Sequence, residues 1–305
     1  MEVNTKKKSV ALLSIISNVT LSILKIIAGI ISGSLSIISE AIHSMSDLVA
    51  SFLTMFSVIK SSKPADKDHP YGHGKYEDLS GFIEGLLIVL AACFIIYEAA
   101  KKIILPEHNQ IESNIGIVVM LFAAIINYIV SSLLIKTAKE TDSISLYADG
   151  EHLRTDIYSS LGVFLGLLLI KITGYSILDS IVALIVAVFI YKTGYNLSKK
   201  ALWNLLDHSL SEEENEKIKT IIQKFYPSAK LKENSLKARQ VGPNRDIDFI
   251  LLFEGSISIC ECHKICEEIE TEIYKIYPNS SISIHSEPVC YKEYCQNYCE
   301  NKKQN

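Results

Sequence analysis

Val10-Ala-Leu-Leu-Ser-Ile-Ile-Ser-Asn-Val-Thr-Leu-Ser-Ile-Leu-Lys-Ile-Ile-Ala-Gly-Ile-Ile31 is almost uniformly apolar, broken only by small polar residues, Asn18 and a single charge, Lys25. At 1.5 Å of rise per helical residue, this run crosses a hydrocarbon core about 30 Å thick. A secretory signal would be shorter and end at a small-residue cleavage site, whereas here a second apolar stretch follows at once. The run therefore reads as a retained membrane span. Working outward, similar stretches run from Leu35 to Ile59, Leu79 to Lys101, Ile115 to Ile135, Ile144 to Ile172 and Ile177 to Leu197, which makes six.

The composition agrees. Of 305 residues, 49% are apolar and 21% charged, with 14 Gly and 7 Pro, which excludes collagen, disorder and a small disulfide scaffold. The mean hydropathy is positive, +0.24. A net charge of −4 gives no basic field and argues against nucleic-acid binding. The basic residues are instead placed by side. Lys6, Lys7 and Lys8 precede the first span, Lys60, Lys63, Lys67 and Lys75 lie between the second and third, and Lys136 and Lys139 between the fourth and fifth. The other side carries mainly Lys101, Lys102 and Lys171, so both termini are expected to be cytoplasmic.

From about Leu205 the texture becomes soluble. Ser211-Glu-Glu-Glu-Asn, followed by Ile218, Ile221, Ile222 and Phe225, predicts an N-capped amphipathic helix. Ser235 to Val241 and Ile247 to Phe253 read as strands, Ile265 to Ile276 as a helix and Ser281 to Val289 as a last strand. The expected architecture is an α-helical membrane protein with six transmembrane helices over 1–203. A C-terminal α+β domain of ferredoxin-like, metallochaperone-like type follows over 204–290, and a Cys-containing tail over 291–305.

The chemistry lies where a membrane tolerates it least. His43 and Asp47 stand inside the second span, and His152 and Asp156 inside the fifth, each pair spaced i, i+4. That spacing puts imidazole and carboxylate on one helix face, one turn apart. An ionisable side chain at the bilayer centre costs about 2.5–3.5 kcal/mol, so a solvated surface pair is a poor explanation. Counted from Gly33 and from Ser143, His43 and His152 lie about 15 Å and 14 Å into the bilayer from opposite faces, which predicts that the pairs meet at the midplane. Two imidazoles and two carboxylates form a four-coordinate set that suits Zn²⁺. Manganese and magnesium prefer oxygen-rich octahedra, and Cu(I) prefers sulfur. Iron, cobalt and cadmium also accept imidazole. Glu40, one turn before His43, reads as a supporting residue or part of an aqueous entry path.

The residues Gly33-Ser-Leu-Ser-Ile-Ile-Ser-Glu-Ala-Ile-His-Ser-Met-Ser-Asp47, Lys63-Pro-Ala-Asp-Lys-Asp-His-Pro-Tyr-Gly-His-Gly-Lys-Tyr-Glu77, His152 to Asp156, Asn204-Leu-Leu-Asp207 and Ile284-His-Ser-Glu-Pro288 resemble, in this order, the cation diffusion facilitator family of divalent-metal exporters. The resemblance implies a homodimer that exchanges a divalent metal for protons, a secondary active transporter and not an enzyme; with no apparent targeting peptide, the cell (inner) membrane is the expected location. The resemblance assigns the transport site to His43, Asp47, His152 and Asp156. This set looks like that of the zinc-selective branch, with exporters of manganese and iron tending to carry Asp or Asn instead. It further implies a loop site at Asp66, His69 and His73, and an ion pair between Lys75 and Asp207 where the two domains join. In the soluble domain it implies a metal site at His263, His285 and Glu287, with Asp248 as a fourth ligand from the neighbouring strand. Zinc would then be both substrate and regulatory ion. Two departures bear on this: Glu40 stands where members commonly have Asp, and Asn234 and Ile250 stand where some carry His, which argues against a full binuclear site.

Proton coupling also follows from the side chains. Imidazole titrates near pH 6.5, so a proton competes with a metal for the same lone pair. Of seven Cys, Cys260, Cys262, Cys266, Cys290, Cys295 and Cys299 crowd the C-terminal part as candidate thiolate ligands, although their spacing matches no standard zinc knuckle. Cys93, in the third span, reads as a packing residue. An intramembrane metalloenzyme is disfavoured because the chain has no His-Glu-x-x-His, Gly-rich phosphate loop or serine elbow. A membrane metal sensor would leave the midplane pairs unexplained.

Overall fold

The structure, a computed structural model, describes residues 2–32, 35–104, 114–173, 177–225 and 227–289. It divides between Leu206 and Asp207 into two compact units, three residues beyond the boundary expected from the sequence.

Among the described residues the first unit is six helices: α1 Glu2–Ser32, α2 Leu35–Ser61, α3 Lys75–Ile104, α4 Asn114–Thr141, α5 Ile144–Thr173 and α6 Ile177–Leu205. Each contains one of the six expected spans. Within them, Val3–Ile27, Lys75–Lys101 and Leu121–Thr141 are apolar enough along their described length to cross a membrane. At 27, 30 and 29 residues, α2, α5 and α6 reach about 40–45 Å, also enough to span. The burial pattern is the inverse of a soluble bundle. Leu12, Ile16, Phe52, Leu90, Phe94, Phe122 and Phe189 point outward, while Ser14, Asn18, Asp47, Ser51, Thr54, Glu84 and Asp149 are buried. Apolar side chains outside and polar groups inside are what a lipid solvent selects. Lys25 is buried too, so the one charge of the opening run faces protein.

Two apolar cores hold the unit. One joins α1, α2, α4 and α5 through Ala11, Val58, Val130, Leu134, Ala138, Leu146 and Leu153. The other joins α3, α5 and α6 through Ile88, Ala92, Ile144, Ala148, Ile190, Leu197 and Ala201. The closest crossing is between α3 and α6. A Cβ on Gly85 would lie 2.8 Å from Ser198 N, and one on Gly194 would lie 3.0 Å from Gly85 O, so only glycine fits there. Between α4 and α5, Asp142 takes a left-handed φ of 50° and Ser143 N donates to Ala138 O at 3.0 Å, which closes α4. Ser143 Oγ then accepts from Leu146 N at 3.5 Å as α5 begins. At this end Glu77, fully buried, accepts from Lys7 Nζ, from Ser61 Oγ at 2.7 Å and from Ser143 Oγ, tying α1, α2 and α5 to α3.

The second unit runs α7 Glu212–Gln223, β1 Lys230–Leu231, β2 Lys237–Val241, β3 Asn244–Phe253, α8 Ile259–Ile276, β4 Ser280–Pro288. Ser211 caps α7 in a capping box with Glu214, as expected. β3 is central. β2 pairs antiparallel with its first half through a tight turn at Gly242 (φ 58°), and β1 pairs antiparallel with its second half. β4 runs parallel to β3 along its other edge, after the α8 crossover. Ile247, Phe249, Leu251 and Phe253 alternate onto one face and pack with Ile218, Ile221 and Ile222 of α7 and Ile269 and Ile273 of α8. Three readings need correction. The two-residue β1 was not expected, β3 starts three residues before Ile247, and α8 starts at Ile259, six residues before Ile265. Ser258-Ile-Cys-Glu261 is a capping box, so the Cys260-Glu-Cys-His263 run forms the first turns of a helix.

Candidate metal site

A buried polar cluster forms where α2 meets α5. Asp47 Oδ1 and His152 Nε2 are 3.2 Å apart, both side chains buried. Among the described residues, donor atoms of Asp47, His152 and Asp156 all lie within 4.8 Å of one another. Two helices far apart in sequence thus bring one imidazole and two carboxylates to a single point, a ligand set that could hold a divalent cation. His43 stands in α2 one turn before Asp47. Its side chain, and that of Glu40, lie outside the described residues.

The loop after α2 makes the second cluster. Asp66 Oδ1 accepts from the backbone N–H of Asp68 at 3.0 Å and of His69 at 2.8 Å, an Asx turn, and Gly72 takes φ +83°. That turn brings His69 Nδ1 to 3.4 Å from Asp66 Oδ1 and His73 Nε2 to 3.3 Å from Asp66 Oδ2, with the two rings 4.4 Å apart. The backbone donor from His69 holds the Asp66 carboxyl below its ordinary range. His73 is buried, while Asp66 and His69 are exposed.

Among the described residues, the remaining expected ligands do not converge within one chain. His285 Nε2 is 3.8 Å from Glu287 Oε1, but Glu287 Oε2 is bound by Lys232 Nζ at 2.7 Å. His263, on α8, is 3.4 Å from Glu267, and Asp248 is exposed opposite Lys237. Cys262 and Cys266 lie one turn apart on α8, with Sγ atoms 3.3 and 3.8 Å from Ser286 Oγ. Burial raises the Cys266 thiol above its usual range, which disfavours the thiolate. Cys260 is exposed, and Cys290, Cys295 and Cys299 lie outside the described residues. Cys93 is exposed on α3, which corrects its reading as a packing residue: its position falls on the outward face of the helix. Lys75 Nζ donates to Leu205 O at 3.4 Å, and Asp207 pairs with Arg239 at 3.1 Å.

The model of the cation efflux transmembrane domain matches residues 11–206, and that of the cation efflux protein cytoplasmic domain matches residues 210–289. The chain belongs to the cation diffusion facilitator family. Cation diffusion facilitators are membrane-embedded transporters of divalent metal ions, so this chain effects divalent cation efflux. Its relatives span nearly its full length. An uncharacterized transporter of Synechocystis, sll1263, is 32% identical over 87% of this chain and 85% of its own. The manganese efflux system protein MneP of Bacillus subtilis is 30% identical over 92% and 96%. The cation-efflux pump FieF of Klebsiella pneumoniae is 29% identical over 88% of each.

Sequence reasoning passed over Glu77, Glu84 and Asp149, each fully buried in the helical unit. The signal was present: an ionisable residue inside an apolar span, the criterion that singled out His43 and Asp47, applies equally to Glu84 and Asp149.

Proposed function

We propose that this cation diffusion facilitator exports Zn²⁺ in exchange for protons, with His43, Asp47, His152 and Asp156 as the transport ligands. The carrying observation is the 3.2 Å approach of Asp47 to His152 in a buried setting. Only a cation or a proton would hold such a pair productively against the cost of burying its charge. His43, one turn from Asp47, completes a two-imidazole, two-carboxylate set suited to tetrahedral zinc. Protonation of the imidazoles from the side of higher acidity releases the metal, so ion and proton move in opposite directions.

In this reading Glu40 supports the ligands, and the Asp66–His69–His73 loop binds a second metal at the mouth. Lys75 and Asp207 pair where the domains join. The soluble domain dimerises, and a metal held by Asp248, His263, His285 and Glu287 bridges two copies, since one copy does not gather them. The Cys of α8 and the tail are secondary thiol ligands. The protein sits in the inner membrane with both termini cytoplasmic.

A manganese substrate is the second reading, favoured by the 30% identity to a protein named for manganese efflux. Purified protein in liposomes with an imposed pH gradient, offered Zn²⁺, Mn²⁺, Cd²⁺, Co²⁺ and Fe²⁺ in turn, decides between them. His152→Ala is expected to abolish exchange. Undiminished metal–proton exchange in that variant would overturn the site.

A further inference from the structure

Glu84 on α3 and Asp149 on α5 are both fully buried. Glu84 Oε1 accepts from Thr54 Oγ1 and, at 3.0 Å, from Ser80 Oγ. Asp149 Oδ1 accepts from Ser51 Oγ at 3.1 Å, and Ser51 is itself linked to Ser14 Oγ and Asn18 Nδ2. Glu84 Oε2 and Asp149 Oδ2 have no hydrogen-bond partner. A buried carboxylate oxygen left without a donor is costly, so a pair of them in one neighbourhood calls for a ligand.

Placement says which ligand. Ser51 and Thr54 share the α2 face that carries Asp47, four and seven residues on, and Asp149 precedes His152 by one turn of α5. Along the helix axes Asp149 thus stands about 4–5 Å, and Glu84, bound to Thr54, about 10 Å, from the Asp47–His152 cluster, toward the end where Glu77 meets Lys7. They fall within electrostatic range of one another and of His152. Glu77 lies a further seven residues along α3, already bound by Lys7, Ser61 and Ser143. Buried polar groups thus recur on α2, α3 and α5 between Glu77 and His152.

We propose that Glu84 and Asp149 form a second divalent-cation site, a waystation on the route between the Glu77 end of the bundle and the Asp47–His152–Asp156 site. The inference rests on the transport reading above. Two carboxylates and neighbouring hydroxyls offer oxygen alone, so this site favours hard ions such as Mn²⁺ and holds Zn²⁺ loosely. Loose binding suits a relay: an ion must enter readily and still leave.

The test uses full-length protein in liposomes, with Mn²⁺ and Zn²⁺ as probes presented from the Glu77 side. Glu84→Gln and Asp149→Asn keep shape and hydrogen bonding but remove charge. Each is expected to raise half-saturating Mn²⁺ about tenfold, and Zn²⁺ by less. A neutral carboxyl with a purely structural role would be replaced by the amide without change, and wild-type half-saturation in both variants overturns the proposal. Anomalous diffraction from Mn²⁺-soaked wild-type protein decides independently of how the variants fold. A peak between Glu84 and Asp149 supports the site, and a peak at Asp47–His152–Asp156 with none at Glu84 overturns it. Wild-type protein that moves no metal would refute the transport reading instead, and the Mn²⁺ peak would still answer for the second site.

Discussion

Replacing Lys7 by Met should unsettle the helical unit far more than its place near the chain start suggests. The Lys7 and Glu77 side chains are 2% and 0% exposed. Lys7→Met keeps the length of the stem and removes the ammonium, leaving Glu77 with the hydroxyls of Ser61, Ser143 and, at 3.5 Å, Ser145. Deleting one member of a buried pair costs about 3–5 kcal/mol, because the other charge stays buried. Glu77→Gln strands the ammonium at similar cost. The double variant strands neither, since the amide oxygen introduced by Glu77→Gln can still accept from Ser61 and Ser143 while the new methionine packs beside it; neutral replacement of a buried pair is often nearly free. The two losses should therefore fall short of adding by about 2 kcal/mol or more. The single tryptophan, Trp203, exposed on α6 beneath Lys199, reports unfolding of this unit through loss of that contact. Near 3 kcal/mol, the midpoint of its fluorescence transition should drop by roughly 6–12 °C in each single variant. Strictly additive losses, or single variants that melt with the wild type, would show that the pair is solvated and that Glu77 does not tie these helices together.

Gly85→Ala should cost about 1–3 kcal/mol in the same melt, since the new methyl meets the backbone of Ser198 at 2.8 Å; an unshifted midpoint would mean that α3 and α6 stand further apart than described. The depressed Asp66 carboxyl carries a pH signature. Its ionised form, favoured by the folded turn, stabilises that turn above the ordinary value of 3.8, and the contribution is lost as pH falls through the lowered folded value. Hydrogen-exchange protection of the Asp68 and His69 amides should therefore persist below pH 3.8 in the wild type and be weak at every pH in Asp66→Ala, which has no side-chain acceptor. Equal protection in the two would contradict the Asx turn.

The six helices were legible because each needed only one property, an apolar run near twenty residues long, and lipid allows few alternatives to a helix for such a run. The Asp47–His152 contact was legible for a related reason: depth along two spans can be counted from their ends, and equal depth brings the pairs together. The interior lining was harder to see. Ser14 and Ser51 look unremarkable singly, and only the packing of α1, α2 and α5 shows them joined by hydrogen bonds to each other and to Asp149. In the second unit the Cys260–His263 run drew attention as a ligand motif and concealed Ser258 and Glu261, whose reciprocal hydrogen bonds begin α8. The two residues of β1 are too few to show alternation, and they form a strand because β3 offers its second half as a template.

Where Gly85 meets Ser198, and Gly194 meets Gly85, main chain abuts main chain with no cushion of side chains between. Rods seated this closely turn as one axle. Any rocking that shows the metal first to one side of the bilayer and then to the other has to occur around them. The other four helices cannot all swing free, because α5 is riveted into both cores, through Leu146 and Leu153 on one side and Ile144 and Ala148 on the other. A twist between the two cores is thus felt first along residues 144–156, the stretch that carries His152 and Asp156.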